Sequence, residues 1–324
     1  MRLVWSVAAV LTAACGGAEP TKAAPSAATP ATAPEAEQAV VTPTAAPHER
    51  LPTGCTIAAN VSVAQLMAHP RVRVELLPLL GLVTEPDAKS PGVLSKFLQH
   101  SELKPRSLDA LAVCASAPRD GQLEAFAALS GTFAKHTLVP AWRAAGGSPA
   151  ASFTQVQGRP TYTEGKITAF QADDGTLLSS VGRALDGLGD ADQAHAAYAL
   201  DTTVFASFAL AAAAIEPVPR AVLTVSGLDE FTSAKGTITL DPPQLNAVAS
   251  FASAEAAGKL VIFVDGVRQS LIAKNGENDT YGQKTVLDGI QTTADGATVS
   301  VTVPLPIDHA IDVAKSMLQT LAGP

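Results

Sequence analysis

Aromatic residues, cysteines and charges are all scarce in this sequence. Of its 324 residues, 5% are aromatic, 16% are charged and three are cysteines. So few cysteines exclude a small scaffold held together by disulfides. A net charge of −8 argues against a nucleic-acid partner, because an acidic surface repels phosphate.

The motifs of common enzymes and cofactor sites are also missing. The sequence contains no G-x-S-x-G elbow, no H-E-x-x-H, no C-x-x-C and no glycine-rich phosphate loop. A groove that stacks sugars would need more aromatic residues than the chain has. We therefore expect a protein that is not an enzyme and that has no cofactor and no metal.

Three weaker patterns are explained equally well as loops. Ser148 follows two glycines after a predicted helix, where no strained elbow is expected. Asp190, Asp192 and His195 have ligand-like spacing but lie in a polar segment. The acidic stretch 275–279 lacks the regular alternation of calcium loops. A hydrolase built from scattered residues is therefore the last of our functional hypotheses.

What the sequence does contain is enough apolar material for a folded domain, since 47% of its residues are hydrophobic. No segment is long enough to be a membrane span. The most apolar internal run, 204–215, is much shorter than the ~20 residues that a spanning helix needs.

The amino end has the pattern of a secretory signal. Arg2 precedes an apolar run over 3–14, which is followed by Cys15 and two glycines. The segment Leu-Thr-Ala-Ala-Cys at 11–15 resembles the lipobox of bacterial lipoproteins, although Thr12 replaces the more common Leu. The alternative is an ordinary signal peptide that is cut nearby.

The lipobox resemblance implies that residues 1–14 are removed and that Cys15 carries acyl chains such as palmitate. Gly16, rather than Asp, then implies sorting to the outer membrane, on either its periplasmic or its surface face. The membrane would be one partner, reached through the acylated Cys15. Residues 15–50, rich in Ala, Pro and Thr, are predicted to be a disordered tether with a reach of about 100 Å.

Turn chemistry predicts an α+β fold with antiparallel sheets built from hairpins. Dipeptides of Asp, Glu or Lys with Gly lie between apolar runs, where hairpin turns favour positive φ. These dipeptides are Asp120-Gly121, Glu164-Gly165, Asp174-Gly175, Lys235-Gly236 and Asp295-Gly296.

Amphipathic helices should pack on one face of each sheet. Ser253 is placed to cap a helix that runs through Ile272, and a last helix should begin at Pro306. Further helices are predicted over 63–80, broken by its prolines, and over 134–145.

The order of elements suggests two related halves. One pattern of strand, helix, two strands and helix covers 56–145, and a similar one covers 247–321. We accordingly divide the folded part into a first α+β half at 51–200 and a second at 201–324.

Cys55 and Cys114 lie in predicted neighbouring strands, where a disulfide is geometrically feasible. The alternative is two buried free thiols.

Together these features predict an envelope lipoprotein whose non-catalytic domain binds an envelope protein or has a structural role. The alternative is a carrier of a lipid or another apolar ligand in a cavity between sheet and helices.

Overall fold

The computed structural model defines the fold over most of the chain. It describes residues 40–41, 46–78, 107–119, 122–134, 138–144, 152–156, 159–172, 175–182, 198–215, 218–275 and 283–322.

The strands within these ranges are short to medium in length. They are β1 (Val40–Val41), β2 (Ile57–Ser62), β3 (Leu108–Arg119), β4 (Gln122–Gly131), β5 (Phe133–Ala134), β6 (Ser152–Val156), β7 (Arg159–Glu164), β8 (Ile167–Gln171), β9 (Leu177–Val181), β10 (Ala206–Ala211), β11 (Phe231–Leu240), β12 (Pro243–Phe251), β13 (Gln291–Asp295) and β14 (Thr298–Pro304).

The helices vary more in length. They are α1 (Val63–Ala68), a π-helical turn (Val72–Leu76), α2 (Leu138–Ala144), α3 (Arg220–Ser226), α4 (Ala254–Asn275), α5 (Gln283–Gly289) and α6 (Ile307–Ala322). Short 3-10 turns occupy Pro47–Arg50, Ala212–Ile215 and Leu228–Glu230. No helix in the described ranges is long and apolar enough to cross a membrane.

Twelve of the described strands form one continuous antiparallel sheet, which confirms the α+β class. Their order is β13-β14-β12-β11-β10-β2-β3-β4-β9-β8-β7-β6. The boundary between β2 and β10 therefore divides this sheet in two. Its strands from 57–181 lie on one side of the boundary, and its strands from 206–304 lie on the other. The small pair β1–β5 forms a separate ladder.

Three predicted turns lie where the sequence placed them. Gly165, Gly175 and Gly296 all have positive φ and connect β7 to β8, β8 to β9 and β13 to β14. The β3–β4 hairpin also forms, although its predicted turn at 120–121 lies outside the described residues.

The turn predicted at Lys235-Gly236 is wrong, because both residues lie inside β11. The chain turns instead at Asp241–Pro242, a cis peptide. Gly236 is glycine because the Phe208 ring packs over it: a Cβ there would lie 2.5 Å from Phe208 Cζ and 2.7 Å from the Asn246 carbonyl oxygen. A glycine inside a strand often marks such a close approach.

The predicted capping of the long helix is confirmed. Ser253 Oγ accepts a hydrogen bond from Ala256 N at 3.2 Å, and α4 continues three residues past the predicted end. The last helix starts right after Pro306, as expected. The helix predicted over 134–145 is shorter, because Ala134 belongs to β5 and α2 covers Leu138–Ala144.

A short folded segment lies just before the predicted boundary at Leu51. Residues Pro47–Arg50 form a 3-10 turn whose Pro47 and Arg50 are buried, and Ala46 N bonds to Glu49 Oε2 at 2.9 Å. Proline and the apolar stem of arginine can be buried in the same way as hydrophobic residues.

In the second of the two predicted patterns, the segment 287–293 stands where the first strand of the hairpin is expected, but it divides into the end of α5 and the start of β13.

Directly opposed residues of antiparallel strands point to the same face of a sheet, so the register assigns side chains to faces. The first core lies on one face and consists of Leu51, Cys55, Ala58, Ala112, Cys114, Phe126, Ala128, Phe170, Ala172 and Leu178. The second core lies on the other face, under α4, and consists of Phe231, Phe251, Ala256, Ala257 and Val299.

Candidate functional site

The two cysteines of the folded domain form a disulfide, as one of the sequence alternatives predicted. Cys55 lies two residues before β2, and Cys114 lies in the neighbouring β3. Their Cα atoms are 5.7 Å apart, inside the usual range for a disulfide. Cys114 is opposite Ala58, three residues beyond Cys55, so the path of the chain before β2, and not the ladder register alone, brings the two cysteines together.

A tyrosine closes the first core beside the disulfide. Cys55 N donates to Tyr198 Oη at 3.0 Å, and Tyr198 Oη donates to the Pro52 carbonyl at 2.6 Å. Tyr198 and Leu200 pack against the core cluster. Residues 198–200 are thereby fixed to the start of the domain.

The disulfide has the properties of a structural crosslink. Cys55 is 7% exposed and Cys114 is 4% exposed, so solvent and reductants have poor access. Nucleophilic chemistry needs an accessible thiolate, which a buried and bonded sulfur does not offer.

A polar row crosses the middle of the sheet beside this core. Asn60 and Ser207 are directly opposed on β2 and β10, and each is 2% exposed. Asn60 Oδ1 and Ser207 Oγ have no hydrogen-bond partner within the described part of the chain. Buried polar atoms are usually satisfied, by water where protein groups are lacking.

The row continues toward the β13 edge with hydroxyl and amide side chains. Thr237, Asn246 and Thr302 follow Ser207 in register, and Thr302 Oγ1 donates to Asn246 Oδ1 at 3.1 Å. This row was not predicted from the sequence, although polar and apolar residues alternate over Ser233–Leu240 of β11 and Gln244–Ala247 of β12, which indicates a solvated face.

Five charged side chains connect the π-helical turn to α6. Arg71 Nε lies 2.6 Å from Glu75 Oε1, and its two amino groups lie 3.0 Å from Asp308 Oδ1 and 2.5 Å from Asp312 Oδ1. Lys315 Nζ lies 3.0 Å from Glu75 Oε2. We call this group the ionic cluster.

The ionic cluster shifts the pKa values of Glu75 and Arg71. Hydrogen bonds from Arg71 and then Lys315 lower the pKa of Glu75 from 4.5 to about 2. Hydrogen bonds to Glu75, Asp308 and Asp312 raise the pKa of Arg71 above its usual value. Arg71 and Glu75 therefore keep their charges across the physiological pH range.

A groove with both apolar and polar walls lies between α4 and the start of β13. It has a volume of about 280 Å³ and is lined by Val261, Ile262, Val264, Asp265, Arg268, Ile290 and Thr292. Ile262 is 75% exposed, which is unusual for so large an apolar side chain. Arg268 and Asp265 form an ion pair at 2.8 Å on the same wall.

Cys15, Ser148, the group Asp190, Asp192 and His195, and most of 275–279 lie outside the described residues. Across the described ranges, no three His, Cys, Asp or Glu side chains meet as a metal-binding group.

No protein-family model matches the chain, and no curated protein matches it. Solved structures that resemble it include crystal forms of TP0453. Form III is 8% identical over 84% of this chain and 99% of that chain, with a TM-score of 0.45. Form I is 9% identical over 85% of this chain and 98% of that chain, with a TM-score of 0.44.

Proposed function

We propose that the protein is a lipid-anchored lipoprotein of the bacterial cell envelope. Its non-catalytic body binds an envelope partner or has a structural role. In this proposal Cys15 carries the anchor and the Ala, Pro and Thr segment after it separates the membrane from the folded domain. The disulfide between Cys55 and Cys114 is the observation that supports export most directly.

Disulfides form and persist in oxidising compartments and are rare in the bacterial cytoplasm. This bond joins residues 59 apart in sequence and lies inside a packed core, so folding and oxidation are coupled. A chain that folds in this way is suited to the periplasm. The leader residues 1–14 supply the corresponding signal.

The test of the anchor is the Cys15→Ser variant. The variant should move from the membrane fraction to the soluble fraction, because the acylated residue is lost while the folded domain is unchanged. Fractionation followed by immunoblotting measures the change. Gly17→Ser is the matched control and should remain with the membrane. Membrane association of Cys15→Ser at the wild-type level would refute the anchor.

A second proposal is a carrier of an apolar ligand, and the groove beside α4 is the observation that favours it. The groove is small for a lipid, since ligand sites usually enclose about 300–1,000 Å³. Native mass spectrometry of the purified protein separates the two proposals. A lipid mass on the domain in excess of the acylated Cys15 favours the carrier, and its absence favours the binding protein.

We also propose that the two halves are related by duplication. In this proposal the segment that matches the first half is 206–275, and not the 247–321 suggested by the sequence. The sheet order β4-β3-β2-β10-β11-β12 is symmetric about its central pair. Each side then follows the order strand, helix, hairpin, helix, over 57–144 and 206–275. An alignment of homologous sequences tests this duplication. If 57–144 aligns no better with 206–275 than with 247–321, the proposed match is wrong.

A further inference from the structure

Strand pairing alone does not bring the two cysteines of the first core together. Cys114 lies in β3 opposite Ala58, whereas Cys55 lies before β2 and outside the paired residues. The chain reverses direction just before Cys55, at Gly54, which has a positive φ of 84°. The turn at 52–55 must therefore keep one particular path if the two sulfur atoms are to meet.

The hydroxyl group of Tyr198 holds both ends of this turn. Tyr198 Oη accepts a hydrogen bond from Cys55 N at 3.0 Å and donates one to the Pro52 carbonyl oxygen at 2.6 Å. Tyr198 is 143 residues beyond Cys55 in sequence, in the connection that leads from β9 into β10. The position of Cys55 therefore depends on how this distant connection packs.

The hydrogen bonding of the Pro52 carbonyl changes with the oxidation state of Cys55. Cys55 Sγ lies 3.1 Å from this carbonyl oxygen. A free thiol at this distance can donate a weak hydrogen bond to the carbonyl, whereas a disulfide sulfur carries no proton. The hydroxyl of Tyr198 still donates to the carbonyl in the oxidised form. Its hydrogen bond therefore contributes more after oxidation than before.

The segment that carries Tyr198 has a strained backbone. Ala199 has a φ of 47°, in the left-handed region that residues with a Cβ rarely adopt. Its two neighbours, Tyr198 and Leu200, pack against the first core. A conformation of this kind persists where the surrounding contacts fix it. The contacts of Tyr198 and Leu200 therefore hold the segment docked on the first core against the preference of its own backbone.

We propose that docking of residues 198–200 and closure of the Cys55–Cys114 bond are coupled, with Tyr198 as the residue that positions Cys55. On closure the two thiols lose two protons and two electrons and their sulfur atoms join, while a disulfide oxidant is reduced to two thiols. The docked segment favours this step, and by linkage the closed bond favours docking by the same factor. In an oxidising compartment the connection from β9 to β10 is therefore fixed on the first core. The coupling does not depend on the anchor at Cys15.

A thiol–disulfide titration of the full chain tests the coupling. The Cys15→Ser chain keeps Cys55 and Cys114 as its only cysteines and is equilibrated with mixtures of reduced and oxidised glutathione. Tyr198→Phe in this chain should lower the equilibrium constant for disulfide formation about fivefold, which corresponds to the net contribution of one typical hydrogen bond. Alkylation of the remaining thiols followed by mass spectrometry measures the oxidised fraction.

Two further variants separate positioning from a general loss of stability. Tyr162→Phe is the matched control, because it removes a hydroxyl that bonds to Glu164 in β7, four strands from β3, and should leave the constant unchanged. Ala199→Gly should raise the constant about two- to fivefold, because glycine adopts positive φ without strain. A hydroxyl with a purely structural role stabilises the oxidised and reduced folds equally. An unchanged constant in Tyr198→Phe, an equal fall in Tyr162→Phe, or a fall in Ala199→Gly overturns the proposal.

Hydrogen exchange measures the same coupling in the reverse direction. Replacing both Cys55 and Cys114 with alanine should speed amide exchange over 198–205 several-fold, because the closed bond no longer favours docking. Strand β12 in the second core is the internal reference and should change less. Equal increases in the two regions would show a loss of global stability in place of coupling, and unchanged exchange over 198–205 would show that docking is independent of the bond. Either result contradicts the proposal.

Discussion

The two cores of this molecule lie on opposite faces of one sheet and are closed by different means. The first core is joined by the Cys55–Cys114 disulfide and is lined by many alanines. The second is covered by α4, and its Phe231 and Phe251 rings meet edge to face at 6.0 Å. Alanine makes up the same share of the buried residues in both cores, so the covalent bond, rather than side-chain size, distinguishes the first core.

The difference arises because the apolar residues change from one face of the sheet to the other between β2 and β10. The row that contains Ala112 and Ala128 in the first half contains Thr237 and Asn246 in the second. The polar face of one half is thus the buried face of the other. Asn60 and Ser207 are polar and buried because they lie where the two arrangements meet.

The largest expected effect comes from breaking the crosslink of the first core. Replacing both Cys55 and Cys114 with alanine should lower the free energy of unfolding by roughly 4 kcal/mol, because the closed loop of 59 residues no longer restricts the unfolded chain. Urea unfolding followed by circular dichroism measures this loss. Reduction of the wild type should produce a similar loss, and an unchanged midpoint after reduction would count against a stabilising bond.

A smaller effect is expected in the second core, and it tests the assignment of faces. Phe251 is 5% exposed under α4, so Phe251→Ala should cost about 3 kcal/mol of unfolding free energy. Val248 lies on the other face of the same strand and is 39% exposed, so Val248→Ala should cost less than ~1 kcal/mol. The same unfolding experiment compares them. Equal losses would show that the two residues do not lie on different faces.

Local signals in the sequence predicted the hairpins and helix starts well. The turns at Gly175 and Gly296 and the cap at Ser253 each depend on a few neighbouring residues, whose chemistry is visible in the sequence. The disulfide was predictable as an alternative because adjacent strands bring their residues close. The turn predicted from the glycine of Lys235-Gly236 is wrong, because that glycine is required by the Phe208 ring, which is distant in sequence.

Long-range relations were beyond the sequence. The ionic cluster joins Arg71 to Asp308, which are 237 residues apart, and no local pattern connects them. The groove depends on how α4 lies against the edge strand β13. The strand order that places the second half beside β2 is likewise a property of the whole sheet, because pairing register is set by packing against distant strands.

The smallest expected effect concerns the ionic cluster, which joins a first-half segment to the last helix. The pKa of Glu75 is lowered from 4.5 to about 2, so its contribution to stability is complete above pH 4.5 and is lost as the pH falls toward 2. Glu75→Gln should therefore lower the melting temperature slightly at neutral pH, and the difference from wild type should vanish near pH 2. High salt should also reduce the difference, because the pairs are partly exposed. Glu255→Gln removes an exposed pair with Lys259 within one helix and should have less effect, since that pair joins no separate elements. A difference for Glu75→Gln that stays constant from neutral pH to pH 2 would show that the charge of Glu75 does not connect the two regions.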